Sequence, residues 1–298
     1  MMQYKQESDK SGLMAFGGEM NFGAMGEQCV ADCQKEVRLG FIRKVYGILS
    51  MQLLATAIVC ALAMKITGTS SPNPEYPVLS FGSFLAGSQM FMFFMFFVDI
   101  AVLIGLFMVK NQYPLNMYIL SGWTLCFSLS VAGACARAVC DPLVQSSPDV
   151  IEPLSIITKT QSLSLPGGEL LCAINTPYAE NGGNAVIMAA AITAILFLSL
   201  TAFTMQSKMD FSFLGAGLFG AVWILMLWGF FMAIFGGSAN MMYMYSLAGA
   251  VIFSLYIVFD TWLITKKLGP DDYIMAAIDL YLDIVNLFLF ILSLLRRD

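Results

Sequence analysis

The chain has 298 residues, of which 58% are hydrophobic and only 12% charged, with a mean hydropathy of +0.76. A water-soluble domain carries about twice that charge fraction, so this balance excludes an ordinary soluble fold and points to lipid as the solvent. The net charge of −5 gives no support to a nucleic-acid partner, and the absence of histidine removes every Ser-His, Cys-His and His-metal arrangement. The seven cysteines are scattered without a Cys-x-x-Cys pair, and no resident cofactor is expected.

Residues 1–34 are rich in Gly, Met and Gln without apolar periodicity, which predicts a mobile cytosolic tail. No apolar stretch follows a basic start, so no cleaved signal peptide is expected. The membrane domain is expected over 35–298. Seven apolar stretches follow the tail: Ile42–Ile66, Phe84–Met108, Leu115–Val139, Ala185–Met205, Leu214–Phe235, Met241–Thr265 and Tyr273–Leu295. Each is long enough to cross a hydrocarbon core of about 30 Å at 1.5 Å per helical residue. The fold class predicted is therefore an all-α membrane protein, a bundle of seven transmembrane helices.

Basic residues orient the bundle. Lys35, Arg38, Arg43 and Lys44 precede or open the first helix; Lys110 follows the second, Lys208 the fourth, and Lys266 and Lys267 the sixth. With alternating helices these share one face, which should be cytosolic together with the N-terminus. The connection 140–184 falls on the other side and is long and rich in Ser, Pro and Gly. It holds Cys140 and Cys172, which an oxidising lumen would allow to close as a disulfide; two free thiols are the alternative. The final stretch contains Asp279, Asp283 and Asn286, which leaves a full crossing and a shallow re-entrant hairpin both open.

Ionisable groups inside apolar helices cost at least about 2.5–3.5 kcal/mol on insertion scales, so each needs a reason. The candidates are Asp99, Asp260, Asp279 and Asp283. Asp279 and Asp283 are four residues apart and Asn286 continues their stripe, which should face the bundle interior rather than lipid. A tight turn at Lys267–Asp272 returns this helix antiparallel to the sixth, placing Asp279 level with Asp260 and Asp283 about one turn deeper. Geometry thus offers Asp260 two partners. Two carboxyls in a low-dielectric site resist ionising together and are expected to share a proton. Such a pair suits cation permeation, since calcium prefers carboxylate oxygens, or a pH-sensing gate, or water activation. The last use is weakened because Asp279-Leu-Tyr-Leu-Asp283 lacks the Gly-x-Gly-Asp context of aspartyl intramembrane proteases; no enzyme is expected. Solvation of Asp279 near the interface and local hydrogen bonding of Asp260 form the plain alternative. Asp99, eleven residues before Lys110, either joins the same polar interior or makes a local hydrogen bond.

Four segments resemble the lifeguard branch of the Bax-inhibitor family: RKVYGILSMQLLAT at Arg43–Thr56, FTMQSKMDFSFLG at Phe203–Gly215, FSLYIVFDTWLI at Phe253–Ile264 and DYIMAAIDLYLDIVNLFLFILSLL at Asp272–Leu295. The resemblance runs collinearly over about residues 38–295. It implies a seven-helix bundle whose last helix is central, calcium leak across an intracellular membrane, and suppression of cell death. It also implies that Asp260 and Asp283 are the pH-sensing pair, with calcium bound only in transit. Trp262 stands where lifeguard members have Gln, and Asp279 where they have Asn. Lys110 occupies the region in which bacterial relatives carry an arginine that latches the sixth-helix aspartate. The expected membrane is the Golgi or endoplasmic reticulum, with the plasma membrane as alternative. The other functional class left open is a non-conducting protein that acts in cell death by binding other membrane proteins.

Overall fold

A computed structural model describes residues 35–65, 85, 89–110, 112–139 and 177–296. Among these the chain forms seven helices: α1 (Lys35–Lys65), α2 (Gln89–Val109), α3 (Leu115–Val139), α4 (Pro177–Gln206), α5 (Leu214–Phe235), α6 (Ala239–Lys266) and α7 (Tyr273–Leu295). All seven are long and apolar enough to cross a membrane, and the chain is a multi-pass membrane protein. The expected tail, and Cys140 and Cys172 with the proposed bridge, lie outside the described residues.

Two helices begin well before their apolar runs. Helix α1 begins at Lys35, seven residues before the apolar run, because backbone hydrogen bonding continues where the side chains become polar. Helix α4 begins at Pro177, eight residues earlier than expected, which shortens the long connection at its C-terminal side. Proline suits a first helical turn, where its missing N–H would have had no partner. Helix α7 is one uninterrupted segment of 23 residues, about 34 Å long. That is a full crossing, and it overturns the re-entrant alternative.

Helix α7 lies against α1, α3, α4 and α6, whereas α2 packs on α3 and α5 on α6. Half of the most apolar window of α3 and of α7 is buried within the protein, against 17% in α2 and 11% in α5. The last helix is therefore central, and α2 and α5 are outriders that turn Phe93, Phe97, Phe219 and Phe230 outward. Lipid tails are as apolar as these side chains, so close approach and hydrogen bonds, rather than hydrophobicity, must hold the helices together. Gly249 of α6 supplies one approach: a Cβ there would collide with the Phe290 ring of α7. Hydroxyls supply the rest. Thr56 of α1 bonds Ser128 of α3 at 3.0 Å and Tyr281 of α7 at 2.7 Å, while the Gln52 amide donates to Thr124 at 3.2 Å. Ser246 of α6 meets Ser293 of α7 at 2.8 Å.

Short connections fix the helix ends. Asn116 donates to the carbonyl of Lys110 at 2.7 Å, pinning the α2–α3 turn. In the α4–α5 turn the Ser212 N–H donates to Asp210, an exposed carboxylate that this bond holds below its usual range. Gly236, at φ 74, occupies the left-handed region that the α5–α6 turn requires, and Ser238 caps α6. Lys44, Lys110, Lys208, Lys266 and Lys267 gather at one end of the bundle, while Lys65 and Arg137 close α1 and α3 at the other.

Candidate functional site

The α6–α7 hairpin brings Asp260 and Asp283 together. Their carboxyls lie within hydrogen-bonding reach of each other, and a carboxyl–carboxyl hydrogen bond requires a proton between them. Asp283 is 6% exposed, and its Oδ2 has no hydrogen-bond partner. Tyr256, one turn before Asp260 on α6, stands close to both carboxyls.

Asp279 behaves differently from Asp283, although four residues separate the two. That spacing rotates them by about 40° around a helix of 3.6 residues per turn. On α7 this rotation straddles an edge. Ala276, Leu280, Asp283 and Leu287 begin the buried arc, whereas Met275, Asp279, Leu282, Asn286 and Ser293 form a more open stripe. The expectation that Asp279, Asp283 and Asn286 all face the interior is thus corrected: only Asp283 is buried. Asp279 itself is exposed. The α6-facing residues Asp283 and Phe290 flank this stripe on one side. Leu282, within the stripe, lines a cavity together with residues of α2 and α3. Asn286 donates to the Leu282 carbonyl of its own helix at 2.8 Å rather than to a carboxyl.

Lys110 lies away from the pair. Its ammonium lies 4.0 Å from Asp272, at the N-terminal end of α7 and not at the Asp260–Asp283 pair. Both side chains are about two-fifths exposed, so this contact is a surface ion pair of small energetic weight. The physical reason is that α2 rests on α3, outside the α6–α7 hairpin. At the same end Lys44 of α1 sits over the Tyr273 ring, 3.2 Å from its centroid.

Asp99 stands apart from the pair. Its Oδ2 accepts from Ser130 at 2.8 Å, and the Trp123 indole N–H donates to its backbone carbonyl at 3.2 Å. The local hydrogen-bond reading of Asp99 therefore describes what it does, except that Oδ1 is left without a partner.

Three polar groupings escaped the sequence reading. Thr56, Ser128 and Tyr281 join three helices; the signal was present as small hydroxyl residues in apolar runs, a recurrent interhelical glue. Tyr46, Thr201 and Thr261 bring hydroxyls from α1, α4 and α6 together without closing a well-aligned bond. Cys60 and Cys135, both buried and free, face each other between α1 and α3. Among the described residues no group of three or more His, Cys, Asp or Glu side chains forms a ready metal cage.

Residues 145–298 match the family model described as Inhibitor of apoptosis-promoting Bax1. Over 278 residues the sequence is 32% identical to the Golgi anti-apoptotic protein of vaccinia virus (strain Lister), covering 93% of this chain and 92% of that one. It is equally 32% identical over 278 residues to Protein lifeguard 4 of Mus musculus, with the same coverage. Bax inhibitor 1 of Schizosaccharomyces pombe is 29% identical over 266 residues, covering 89% of this chain and 79% of that relative.

Proposed function

The chain belongs to the Bax-inhibitor family, and from that premise we propose that it is a pH-sensitive calcium leak pathway of an intracellular membrane that restrains cell death. The observation that carries this reading is the approach of Asp260 on α6 to the buried Asp283 on the central helix, within hydrogen-bonding reach. The number of protons on such a pair decides whether the two carboxyls attract or repel. Because they sit on different helices, that choice acts on the α6–α7 packing, and flux through the bundle acquires a pH dependence. Asp279, exposed and one turn nearer the Lys-rich end, offers a passing cation a carboxylate next to the pair. Tight calcium sites use about six to eight oxygens. Three aspartates without a cage bind loosely, which is what permeation requires.

The Golgi and anti-apoptotic wording in the viral relative's name supports an internal membrane and a role in cell death. The basic residues gathered at one end support a cytosolic N-terminus. The test is calcium flux into liposomes holding the purified chain, scanned across pH. Wild type should show protein-dependent flux that changes with pH, and Asp260→Asn/Asp283→Asn should flatten the profile. An unchanged profile in the double variant removes the pair from the mechanism.

A second reading has its own support, since the viral relative's name and the family description speak of apoptosis and not of ions. In it the chain conducts nothing and acts by binding membrane proteins of cell-death pathways. Absence of flux above empty liposomes at every pH would favour that reading, with both aspartates as structural contacts.

A further inference from the structure

Two thiols meet near one end of the bundle, and the leak reading does not use them. Cys60 of α1 and Cys135 of α3 are free cysteines, 8% and 0% exposed, with their sulfurs within hydrogen-bonding reach of each other. The packing of the two helices explains why they meet. Gln52 of α1 bonds Thr124 of α3, and four residues further along each helix Thr56 bonds Ser128. Both rungs advance in the same direction, so α1 and α3 run parallel and in register. Another four residues along α1 stands Cys60, and on α3 the buried face continues through Ala132 to Cys135. Ala63 and Ala132 are fully buried in the same core cluster, and such small side chains let helix backbones approach closely.

Position matters as much as contact. Cys60 lies five residues before the end of α1 and Cys135 four before the end of α3. At 1.5 Å per residue, both are about 6–8 Å inside the bundle end opposite the lysines. On the orientation that the basic residues support, this end faces the non-cytosolic compartment, where thiols meet oxidants. Burial argues against a bulky oxidant, because a glutathione-sized disulfide has no room at a sulfur that is 8% exposed. Hydrogen peroxide is uncharged and little larger than water.

We propose that Cys60 and Cys135 form a redox site at which hydrogen peroxide installs a disulfide between α1 and α3. Cys60, the sulfur with residual exposure, reacts first. Its sulfur takes one peroxide oxygen as the O–O bond breaks. The other oxygen leaves with the thiol proton as water, and Cys60 becomes a sulfenic acid. The Cys135 sulfur then attacks Cys60, the S–O bond breaks, and a second water carries off the Cys135 proton. One peroxide is thus reduced by two electrons, one from each sulfur. The bridge encloses all of α2 in a covalent loop and staples α1 to α3 beside the Thr56–Ser128–Tyr281 bonds. It lies on other helices than the Asp260–Asp283 pair, and the inference does not depend on calcium leak.

The experiment treats the full chain in lipid nanodiscs with hydrogen peroxide, after reduction with dithiothreitol and removal of the reductant. Remaining thiols are blocked with N-ethylmaleimide in SDS, and the digest is mapped by mass spectrometry. Wild type should yield a Cys60–Cys135 cross-linked peptide in at least about tenfold excess over any other pairing of either residue, because the sulfurs are already juxtaposed. Dithiothreitol should remove it. The oxidised chain should also melt at a higher temperature than the reduced one, since a bridge across a long loop restricts the unfolded chain. In Cys135→Ala the Cys60 sulfenic acid has no thiol to condense with and should be trapped as a dimedone adduct. Cys60→Ala should leave Cys135 reduced. Full N-ethylmaleimide labelling of Cys60 and Cys135 in peroxide-treated wild type overturns the proposal, and that result needs no variant. So does a bridge from either residue to another cysteine as the main product, or a completed Cys60–Cys135 bridge that leaves the melting temperature unchanged. Peroxide reaches both faces of a nanodisc, so neither the orientation of the chain nor its flux affects the outcome.

Discussion

Asp283 and Asp99 are each buried in an apolar helix, and each keeps one carboxyl oxygen without a partner. Their surroundings differ. Asp283 lies on the central helix, against a second carboxyl on α6, so its partner is built into the bundle. Asp99 lies on an outrider helix, with one serine hydroxyl on its carboxyl. The insertion penalty is the same for both. The lesson is that a buried carboxylate is defined by what faces it: the first meets a second carboxyl, the second a single hydroxyl.

The comparison breaks most visibly at the central helix. Gly249→Leu drives a side chain into the Phe290 ring and should lower the yield of folded, monodisperse protein severely. Gly105→Leu on α2, where a Cβ meets nothing within 4 Å, should be tolerated. Size-exclusion profiles of the two variants check this contrast. If both behave alike, the division into centre and outriders fails.

Next in size is Asp283→Ala, which leaves Asp260 without its hydrogen-bond partner. A buried polar group so stranded costs about 1–3 kcal/mol, and more if charged. The thermal midpoint in detergent should fall clearly below that of Asp99→Ala, whose Ser130 partner can turn to a backbone carbonyl. A smaller loss is expected for Thr56→Val, which removes the bonds linking α1, α3 and α7. Interhelical bonds in membranes average about 0.6 kcal/mol each, so a loss of roughly 1 kcal/mol should appear in the same melting assay. Least of all, Lys110→Ala should stay within about 1 kcal/mol of wild type, because its contact with Asp272 is half in water. A large effect there would show that Lys110 holds more than this surface ion pair.

Much of the fold was legible in the sequence. Run lengths located all seven helices, because a bilayer demands about twenty apolar residues and allows no irregular backbone facing lipid. The errors at Lys35 and Pro177 came from equating a helix with its apolar part. The aspartates were legible as a set, since hydrocarbon makes them conspicuous, and the hairpin turn put Asp260 opposite α7. The choice between Asp279 and Asp283 was not derivable from depth alone, and the resemblance supplied it. In the structure it follows from a rotation of about 40° across the edge of the buried arc. Cys60 and Cys135 were passed over in favour of Cys140 and Cys172, because attention to loops overlooks thiols that meet only when α1 packs on α3.

The sequence by itself determined that this chain crosses a membrane seven times, that its basic residues gather at one end, and that a few carboxylates sit where lipid would reject them. These are properties of single helices, fixed by length, composition and local spacing. Only the tertiary structure decided that α7 is enclosed by α1, α3, α4 and α6. It alone decided that Asp283 finds Asp260 while Asp279 stays exposed, and that Asp99 meets Ser130. Those outcomes depend on how each helix is rotated against its neighbours. Interhelical hydroxyl bonds and close approaches such as Gly249 on Phe290 set that rotation, and neither has meaning within one helix.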